Sequence, residues 1–497
     1  MDGKKYSFDA TGAPVLISEL LKRAGARLGM PCGGRGSCGK CTVFVTGAVE
    51  PPSPKELQLL SPALAAQGMR LACMAKACGS VTVTVPHEQY SNPFSSDNNT
   101  STQPAAGFAV DIGTTTVCAA SYAKGGEKLA SLTSLNPQRA YGADVISRIE
   151  HSLKGDAAAL SDSVLQCIRQ LLKSLGYRKG DKVVITGNTA MLYLLTGRSP
   201  LSLSRAPFEA DCLFGQYFTD EEFTAYLPRC ISAFLGADTV CAVLYADVRH
   251  GFCSGGARLL ADIGTNGEIV LHTGGGILAC STAAGPAFEG AALYCGSLAV
   301  QGAVERVRFN GVSFECDVIG GGTGATVCGS GAVSAVEAML KAGVLDPNGS
   351  MNTASHRFSS YMTQINGEDA FILPGTKAVI TNADIRNLQL AKSAVCAGIL
   401  TLAGEAGLRA EDTEQLYVAG AFGRSLNMHS AEYIGLIPRG LAGKSTYISN
   451  AALEGAAMLL FNTGADEQIA QRTHCVELSD SERFFDAYIN GMILGQQ

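Results

Sequence analysis

The chain has 497 residues, of which 46% are hydrophobic, and carries a formal net charge of −6. This length predicts about three domains with an extensive buried core. The acidic balance excludes the basic footprint of a general nucleic-acid binder, and no run of about 18 apolar residues predicts a membrane-spanning helix.

The first residues and the cysteines predict the compartment. The start of the chain, Met1 to Lys5, lacks the apolar segment that follows the charges of a secretory signal. Seventeen cysteines without such a signal favour free thiols in a reducing compartment over disulfides. We therefore expect a soluble, cytoplasmic protein with neither a nucleic-acid nor a membrane partner.

The N-terminal region begins with a predicted strand at Lys5–Phe8 and a predicted helix from Val15 to Leu28. Apolar residues recur at helical spacing in the second segment, and Pro14 suits a helix start. Two β-branched stretches, Thr42–Val45 and Val81–Val85, predict further strands. A helix packed on a small sheet is therefore expected here.

A loop between these elements is dense in cysteine. Cys32, Cys38 and Cys41 lie within ten residues beside four glycines, and Cys73 follows 32 residues later. Glycines let the backbone fold tightly, so the thiolates can converge on one inorganic centre. The spacing resembles the plant-type [2Fe–2S] pattern, with a first gap one residue longer. Cys78 is the second choice for the fourth ligand, and a zinc site or free buried thiols are the alternatives.

Helix, sheet and cysteine loop together predict an α+β, β-grasp ferredoxin domain at residues 1–86, with its cluster near the surface. Residues 87–106 are polar, rich in Ser, Asn, Thr and Pro, and without periodicity, which predicts a flexible linker. A coil of about 20 residues has a mean span of about 25 Å, so the ferredoxin could visit more than one partner surface.

An internal repeat organises the rest of the chain. Residues 108–117 read FAVDIGTTTV and residues 259–269 read LLADIGTNGEI, so Asp111 recurs as Asp262 after 151 residues. Each copy is an apolar strand ending in Asp, a glycine turn with hydroxyl or amide residues, and another apolar strand. Two related halves are predicted.

Each half is expected to be an α/β lobe, the first at 107–255 and the second at 256–497, with a cleft between them. The sequence predicts helices at Ala157–Leu175, Ala332–Ala342 and Ala383–Ala406. It also predicts strands that run into glycine turns at Val183–Asn188 and Leu416–Gly423, and a glycine-rich turn at residues 319–324.

The repeated turns suit phosphate binding. Backbone N–H groups and hydroxyls donate to phosphate oxygens, and a carboxylate at the strand end can hold Mg²⁺ directly or through water. Two such turns can hold the β- and γ-phosphates from both sides of a cleft. Asp111 and Asp262 are the candidates for Mg²⁺ or the hydrolytic water. The candidates around the phosphates are Gly113, Thr114, Thr115, Thr116, Gly264, Thr265 and Asn266.

Two alternatives stay open for these polar side chains. Any one hydroxyl could merely cap its own turn. Glu289, in a loop rich in Gly and Pro, is either a polar residue of the cleft or a solvated one.

The paired turns and the later glycine turns resemble those of the acetate and sugar kinase/Hsp70/actin superfamily of ATP-binding proteins, which are built from duplicated ribonuclease H-like halves. In that superfamily, glycine-rich turns of the second half hold the adenosine. The resemblance assigns this role to Gly329, Ser330, Gly331, Gly420, Ala421 and Phe422.

A [2Fe–2S] ferredoxin followed by this ATP-binding body is similar to one family, the reductive activators of corrinoid proteins. The similarity covers nearly the whole chain and includes the motifs Thr186–Met191, Ala284–Gly290, Gly435–Pro438 and Asn450–Ala456. One difference is that some family members carry an extra small domain where this chain has only the linker.

The resemblance implies ATP-dependent activation of a corrinoid (cobalamin) methyl-carrier protein. One electron would pass through the [2Fe–2S] cluster and reduce Co(II) to Co(I), coupled to hydrolysis of ATP with Mg²⁺. An upstream low-potential electron donor is also implied. Whether the chain forms a homodimer stays open, since self-association of the ATPase body is common in this superfamily.

Other functions remain as alternatives. One is a small-molecule kinase of the same superfamily with the ferredoxin as a redox sensor. Another is a non-catalytic electron carrier whose ATP-binding body docks partners. A third is an activator of the 2-hydroxyacyl-CoA dehydratase type, which usually bridges a dimer with a [4Fe–4S] cluster from cysteines of the ATPase body, whereas the dense cysteine loop here is N-terminal.

Overall fold

The structure, a computed structural model, describes residues 3–26, 28–30, 32–36, 39–60, 65, 67–86, 95–98, 103–290, 292–353, 357–365, 367–420 and 422–495. The chain divides into two compact units. The first comprises Met1–Ile185, Ala190–Asp211 and Tyr217–Tyr226, and the second comprises Thr186–Thr189, Cys212–Gln216 and Leu227–Gln497. The first unit combines the predicted ferredoxin with most of the predicted first lobe, and the domain limits at residues 86, 106 and 255 stay predictions.

The cysteine-rich region forms a five-stranded sheet in the order β1-β5-β3-β4, with β2 also paired to β5. Its elements are β1 (Gly3–Asp9), β2 (Val15–Leu16), α1 (Ile17–Arg23), β3 (Thr42–Val49), α2 (Pro54–Leu59), β4 (Met69–Leu71) and β5 (Lys76–Pro86). Ile17 and Leu21 of α1 share a buried core with Val43 and Val83 of the sheet. The predicted arrangement of a helix on a small sheet is confirmed.

Helix α1 is shorter than predicted. Val15 and Leu16 were expected to be helical, but they pair with Ala77 and Lys76 of β5, so their backbone groups join the sheet. At the other end Gly25 takes a φ of +66°, which a continuing right-handed helix does not allow. The helical spacing of the apolar residues therefore predicted the helix correctly, but both of its predicted ends were wrong.

The next region forms a seven-stranded sheet in the order β11-β12-β10-β7-β8-β9-β6. Its strands are β6 (Ser95–Asn98), β7 (Gly107–Ile112), β8 (Thr116–Tyr122), β9 (Lys128–Leu135), β10 (Lys182–Gly187), β11 (Gln216–Thr219) and β12 (Thr224–Leu227). Its helices are α3 (Val145–His151), α4 (Ala157–Ser174) and α5 (Thr189–Thr196). A 3-10 turn at Pro137–Tyr141 precedes α3, and a π-helical turn at Ser152–Asp156 joins α3 to α4.

One part of the predicted linker differs from expectation. Ser95–Asn98 forms the edge strand β6, antiparallel to β9 with Ser95 opposite Thr133. Ladder hydrogen bonds use backbone groups alone, so a polar stretch without an apolar pattern can still pair at a sheet edge. Residues 87–94 and 99–102 of the predicted linker lie outside the described residues.

The second unit contains a six-stranded sheet in the order β23-β22-β13-β14-β15-β24, together with two three-stranded sheets, β17-β16-β18 and β19-β20-β21. The strands are β13 (Arg258–Ile263), β14 (Gly267–Thr273), β15 (Gly276–Thr282), β16 (Ala303–Phe309), β17 (Phe314–Val318), β18 (Thr326–Val327), β19 (Met362–Ile365), β20 (Glu368–Ile372), β21 (Val379–Thr381), β22 (Gln415–Ala419), β23 (Ser445–Tyr447) and β24 (Thr473–Cys475). The helices are α6 (Ala237–His250), α7 (Gly329–Lys341), α8 (Asn382–Glu405), α9 (Met428–Ile434), α10 (Ala451–Leu459), α11 (Ala465–Arg472) and α12 (Glu482–Asn490).

The two large sheets share one design. In each, three consecutive strands form an antiparallel meander, β7-β8-β9 in one and β13-β14-β15 in the other. The next strand of the sheet, β10 or β22, lies beside the first strand of its meander. The internal repeat predicted from the two Asp-Ile-Gly-Thr turns is thus confirmed at the level of topology. Among the described residues no helix is long and apolar enough to cross a bilayer.

Candidate cluster and nucleotide sites

Strand pairing brings two of the predicted cluster cysteines together. Cys41 immediately precedes β3, Cys73 follows β4, and these strands pair with Thr42 opposite Leu71. The Sγ atoms of Cys41 and Cys73 consequently lie 3.2 Å apart. A disulfide would require about 2.05 Å, so no disulfide joins these two sulfurs, and they converge as ligands of one metal centre do.

The electrostatics of Cys41 reflect this convergence. The hydrogen bond with Cys73 raises the pKa of the Cys41 thiol, and burial and the charge of Cys32 raise it further. Cys41 is buried, whereas Cys32 and Cys73 are partly exposed. The three thiols lie near one another, and one is buried while two are partly exposed. This arrangement suits a cofactor with thiolate ligands, such as an iron–sulfur cluster.

Two candidate ligands, Cys78 and Cys38, remain. Cys78 is exposed in strand β5, whereas the sulfur of Cys73 touches that of Cys41. Cys38 lies outside the described residues.

A buried ion pair supports the segment that ends at Cys73. The Arg70 guanidinium donates to both carboxylate oxygens of Glu56 at 2.9 Å, and the Leu71 N–H donates to Glu56 Oε1 at 2.8 Å. The Ala72 N–H also donates to the Cys41 carbonyl at 2.9 Å. Glu56 and Arg70 were not predicted, since no local pattern pairs residues from α2 and β4.

The first predicted phosphate turn connects β7 to β8. Asp111 lies near the end of β7, and the partly exposed residues Gly113 to Thr115 form the turn before Thr116 opens β8. The Asn136 side-chain amide donates to the Gly113 carbonyl at 2.8 Å, and the Arg148 guanidinium donates to the Thr114 carbonyl. Neither of these two partners was predicted.

This anchoring sets the direction of the turn's N–H groups. In a trans peptide the C=O and N–H bonds point to opposite sides. The carbonyls of Gly113 and Thr114 point towards Asn136 and Arg148, so the N–H groups of Thr114 and Thr115 point the other way. Such a row of N–H donors suits phosphate oxygens.

The second predicted phosphate turn connects β13 to β14. The Gly264 N–H donates to the Asn266 carbonyl at 2.9 Å, and the Thr265 N–H donates to Glu289 Oε1 at 3.1 Å. The Thr265 hydroxyl is buried and has no hydrogen-bond partner among the described residues. A buried hydroxyl without a partner is costly, so this position suits a ligand oxygen.

Asp262 lies in a group of carboxylates. Burial raises the pKa of Asp262 to about 7, and the charges of Asp238 and Glu289 raise it further. Burial, with the charge of Asp238, also raises the pKa of Glu268. Carboxylates this close repel one another, and a bound cation removes that repulsion. A carboxylate with a pKa near 7 can also accept a proton from water at neutral pH. Glu289 was left open by the sequence, and Asp238 and Glu268 were not predicted.

A glycine of the third predicted turn makes room for Asp262. Gly420 has a φ of +86°, and a Cβ there would lie 2.5 Å from Asp262 Oδ1. The ring of Phe422 stacks on that of Phe288 at a centroid distance of 4.8 Å. Gly420, Phe422 and the second phosphate turn therefore meet in one place, while Ala421 lies outside the described residues.

The turn at the start of α7 is tightly packed. A Cβ at Gly329 would lie 1.8 Å from the Phe288 carbonyl oxygen, and one at Gly331 would lie 2.1 Å from that of Val304. Ser330 is buried and its hydroxyl contacts the Cys328 thiol at 3.2 Å. These glycines bring α7 against its neighbours, and the adenosine contact expected of them stays a prediction.

Comparison with known proteins gives three consecutive family matches. A 2Fe-2S iron-sulfur cluster binding domain matches residues 1–109, the RACo middle region matches residues 106–250, and the C-terminal domain of RACo, the ASKHA domain, matches residues 256–497. Together these matches cover both predicted functional parts of the chain.

Two curated relatives and one solved structure are similar over most of their length. The corrinoid activation enzyme RamQ of Eubacterium limosum is 30% identical over 436 residues, which are 80% of this chain and 72% of that protein. The Co(II) methylated amine-specific corrinoid protein reductase of Methanosarcina barkeri is 24% identical over 64% of this chain and 63% of that protein. The solved structure of a reductive activator for corrinoid, iron-sulfur protein matches with 26% identity and a TM-score of 0.70, covering 97% of this chain and 96% of that one. The chain therefore belongs to the family of the reductive activators of corrinoid proteins.

Proposed function

We propose that this protein reduces the Co(II) centre of a corrinoid methyl-carrier protein to Co(I), with one electron passed through a [2Fe–2S] cluster and with hydrolysis of ATP. The observation that carries the proposal is the convergence of the Cys41 and Cys73 sulfurs at one end of a ferredoxin-like sheet. It occurs in a chain whose relatives are named for corrinoid activation and Co(II) corrinoid reduction.

Specific residues are assigned to each part of this reaction. We propose Cys32, Cys38, Cys41 and Cys73 as cluster ligands, and the contact between the last two supports Cys73 over Cys78. When bound, the cluster supplies a one-electron donor that an upstream low-potential protein reloads. The thiol-bearing loop has partly exposed members, so a protein acceptor can approach it.

The two turns are proposed to bind the nucleotide phosphates. Asp111 and Asp262 would hold Mg²⁺ or orient the hydrolytic water, and the N–H groups and hydroxyls of both turns would contact phosphate. Two observations support this assignment: the Thr265 hydroxyl has no hydrogen-bond partner within the described part of the chain, and Gly420 leaves room beside Asp262. Gly329 to Gly331 and Gly420 to Phe422 are proposed to flank the adenosine.

We propose that ATP is needed because the electron transfer is uphill. For one electron, each 59 mV of unfavourable gap costs a factor of ten, so a gap of about 0.3 V would leave about one part in 10⁵ reduced. Five decades correspond to about 7 kcal/mol. ATP and the corrinoid protein must together bind the reducible state more tightly than the other state by this free energy. We propose that ATP favours a closed state in which the partner's cobalt is easier to reduce, and that hydrolysis releases the partner.

The distance between two cysteine sulfurs also supports a reducing compartment. The Sγ atoms of Cys41 and Cys73 lie 3.2 Å apart, well beyond the about 2.05 Å of a disulfide bond. We therefore propose a cytoplasmic location, where thiols stay reduced.

The decisive experiment is a spectral titration under anaerobic conditions. Reconstituted protein, a chemical reductant and a Co(II) corrinoid protein are mixed with MgATP, MgADP or no nucleotide, and the visible spectrum is followed for Co(I). We expect Co(I) with MgATP alone and ATPase activity stimulated by the corrinoid protein. Equal reduction under all three conditions would refute the coupling, and a phosphorylated small molecule would favour a kinase instead.

A further inference from the structure

Residues 141–156 of the first unit contact the cysteine loop directly. The Arg35 guanidinium donates to the Ser147 hydroxyl at 2.5 Å and lies 3.8 Å from Asp144 Oδ2. The same side chain donates through Nε to the Cys32 carbonyl at 3.0 Å. Arg35 thus joins the backbone of a proposed cluster ligand to the first turn of helix α3.

A second group of contacts involves residues that flank α3 on both sides. Lys22 of α1 donates to Asp156 Oδ1 at 2.6 Å and sits 5.0 Å from the ring centre of Tyr141. His151 lies between the two regions, with Nδ1 at 2.9 Å from Asp156 Oδ2 and Nε2 at 3.3 Å from the Gly33 carbonyl. Positive side chains of the ferredoxin region therefore meet acidic side chains of the ATPase region.

The charge state of Asp156 agrees with this pairing. Burial raises the pKa of the Asp156 carboxyl, but the hydrogen bonds from Lys22 and His151 outweigh burial and hold that pKa below its usual range. The carboxylate is therefore ionised at neutral pH and attracts Lys22.

The backbone of the cysteine loop is shaped for close approach. Gly33 has a φ of +59°, and a Cβ there would lie 3.2 Å from the Tyr141 carbonyl oxygen. A side chain at this position would push the loop away from the 3-10 turn at Pro137–Tyr141. The loop and the turn thus fit each other in shape as well as in charge.

A neighbouring residue of α3 holds the first phosphate turn. Arg148 is fully buried, and its guanidinium donates to the carbonyls of Thr114 and Gly142. Its neighbour Ser147 faces the cysteine loop through Arg35. Two consecutive residues of one short helix therefore connect the phosphate turn to the cysteine loop.

We propose that residues 141–156 are a docking surface for the protein's own cysteine loop, and that MgATP at the first phosphate turn releases the loop through Arg148 and α3. While docked, Gly33 and Arg35 contact residues of this surface, so that side of the loop is less open to a protein acceptor than in the released state. This inference rests on the proposed function, because the corrinoid protein is the acceptor that the released loop would meet.

The strength of the contacts suits reversible docking. The Lys22 and Asp156 side chains are 48% and 25% exposed, and those of Arg35 and Asp144 are 56% and 34% exposed. Ion pairs this exposed are individually weak and are screened by salt. The surface therefore holds the loop without trapping it, and a modest change at α3 is enough to release it.

A charge exchange tests the docking. Lys22→Glu and Asp156→Lys are made singly and together, and Lys55→Glu, on an exposed residue of α2, matches the charge change of the first. Amide hydrogen exchange is measured on the reconstituted protein, in peptides that cover residues 32–36 and 141–156. Each single variant should exchange at least threefold faster in both peptides, while the double variant and Lys55→Glu should behave like the unmodified protein.

Nucleotide and acceptor complete the test. In the unmodified protein MgATP should accelerate exchange in both peptides relative to MgADP. The single variants should reduce a Co(II) corrinoid protein at least threefold faster without ATP, with a smaller stimulation by ATP. Unchanged exchange in both single variants would overturn the docking, and equal exchange with MgATP and MgADP would overturn release by nucleotide. Since exchange is measured without the corrinoid protein, a failure of cobalt reduction alone would refute the proposed function and leave the docking standing.

Discussion

Asp262→Asn is expected to stabilise the protein at high pH while abolishing ATP hydrolysis. Burial, with the charges of Asp238 and Glu289, raises the pKa of the Asp262 carboxyl from 3.8 to about 7. An acid whose pKa rises on folding favours the folded state below its unfolded pKa, and this contribution is lost as the pH rises through the folded pKa. The charged form of Asp262 is therefore a cost to the folded protein without nucleotide, and asparagine removes it.

The magnitude follows from the size of the shift. Each pKa unit is worth about 1.36 kcal/mol, so a rise from 3.8 to about 7 costs up to about 4 kcal/mol above pH 7. Between pH 5 and pH 8 the loss is about 2.5 kcal/mol, and the partial exposure of Asp262 lowers it to about 1 to 2 kcal/mol. At about 2 to 4 °C per kcal/mol for a region this large, the variant gains about 2 to 8 °C in Tm at pH 8 relative to pH 5.

The assay is thermal unfolding without nucleotide, followed by far-UV circular dichroism because the chain contains no tryptophan. Asp480→Asn, on an exposed residue of the same unit, is the control and should show no pH-dependent difference. A Tm difference that is the same at pH 5 and pH 8 would refute the raised pKa. Retained ATPase activity in Asp262→Asn would remove this carboxylate from the proposed hydrolytic site.

Three further substitutions test the cluster and nucleotide sites. Cys73→Ser should abolish the visible absorption of the reconstituted cluster, whereas Cys78→Ser should retain it; the reverse result would exchange their roles. Gly420→Ala should lower ATPase activity at least tenfold, because the added Cβ crowds Asp262. Gly407→Ala is the control: its φ is similar, but no atom lies within 4 Å of the added Cβ, so it reports the effect of backbone strain alone. Glu56→Gln should destabilise the ferredoxin region by about 3 kcal/mol, because it leaves the buried Arg70 without its ionic partner. The loss is measured by urea unfolding, and a value below about 0.5 kcal/mol would contradict this reasoning.

Local patterns predicted most of the fold. The strand-turn-strand repeat identified β7, β8, β13 and β14, because an apolar run that ends in Asp and Gly is a local signal. The long helix at Asn382–Glu405 was also found, since its apolar spacing extends over many turns. The start of α1 was misplaced because Val15 and Leu16, which precede the helix, pair with strand β5, about 60 residues away in the chain.

The residues that anchor the sites could not be predicted in this way. Asn136 and Arg148 hold the first phosphate turn from 23 and 34 residues further along the chain. Arg35 meets Ser147 across 112 residues. Such contacts depend on how distant elements pack, and neither partner carries a local motif.

These anchoring contacts also limit what the docking surface can contribute to the reaction. Two exposed ion pairs, Lys22 with Asp156 and Arg35 with Asp144, are worth about 0.2 to 1 kcal/mol each. For the hypothetical gap of about 0.3 V, an uphill step of five decades needs about 7 kcal/mol, which release of the loop would not supply. The docking surface can therefore set when the cysteine loop meets an acceptor, while the driving force must come from the difference in affinity for nucleotide and partner between the two states. Disrupting the docking should accordingly change the rate of cobalt reduction without ATP, but not the final Co(I) to Co(II) ratio reached at a fixed reductant potential.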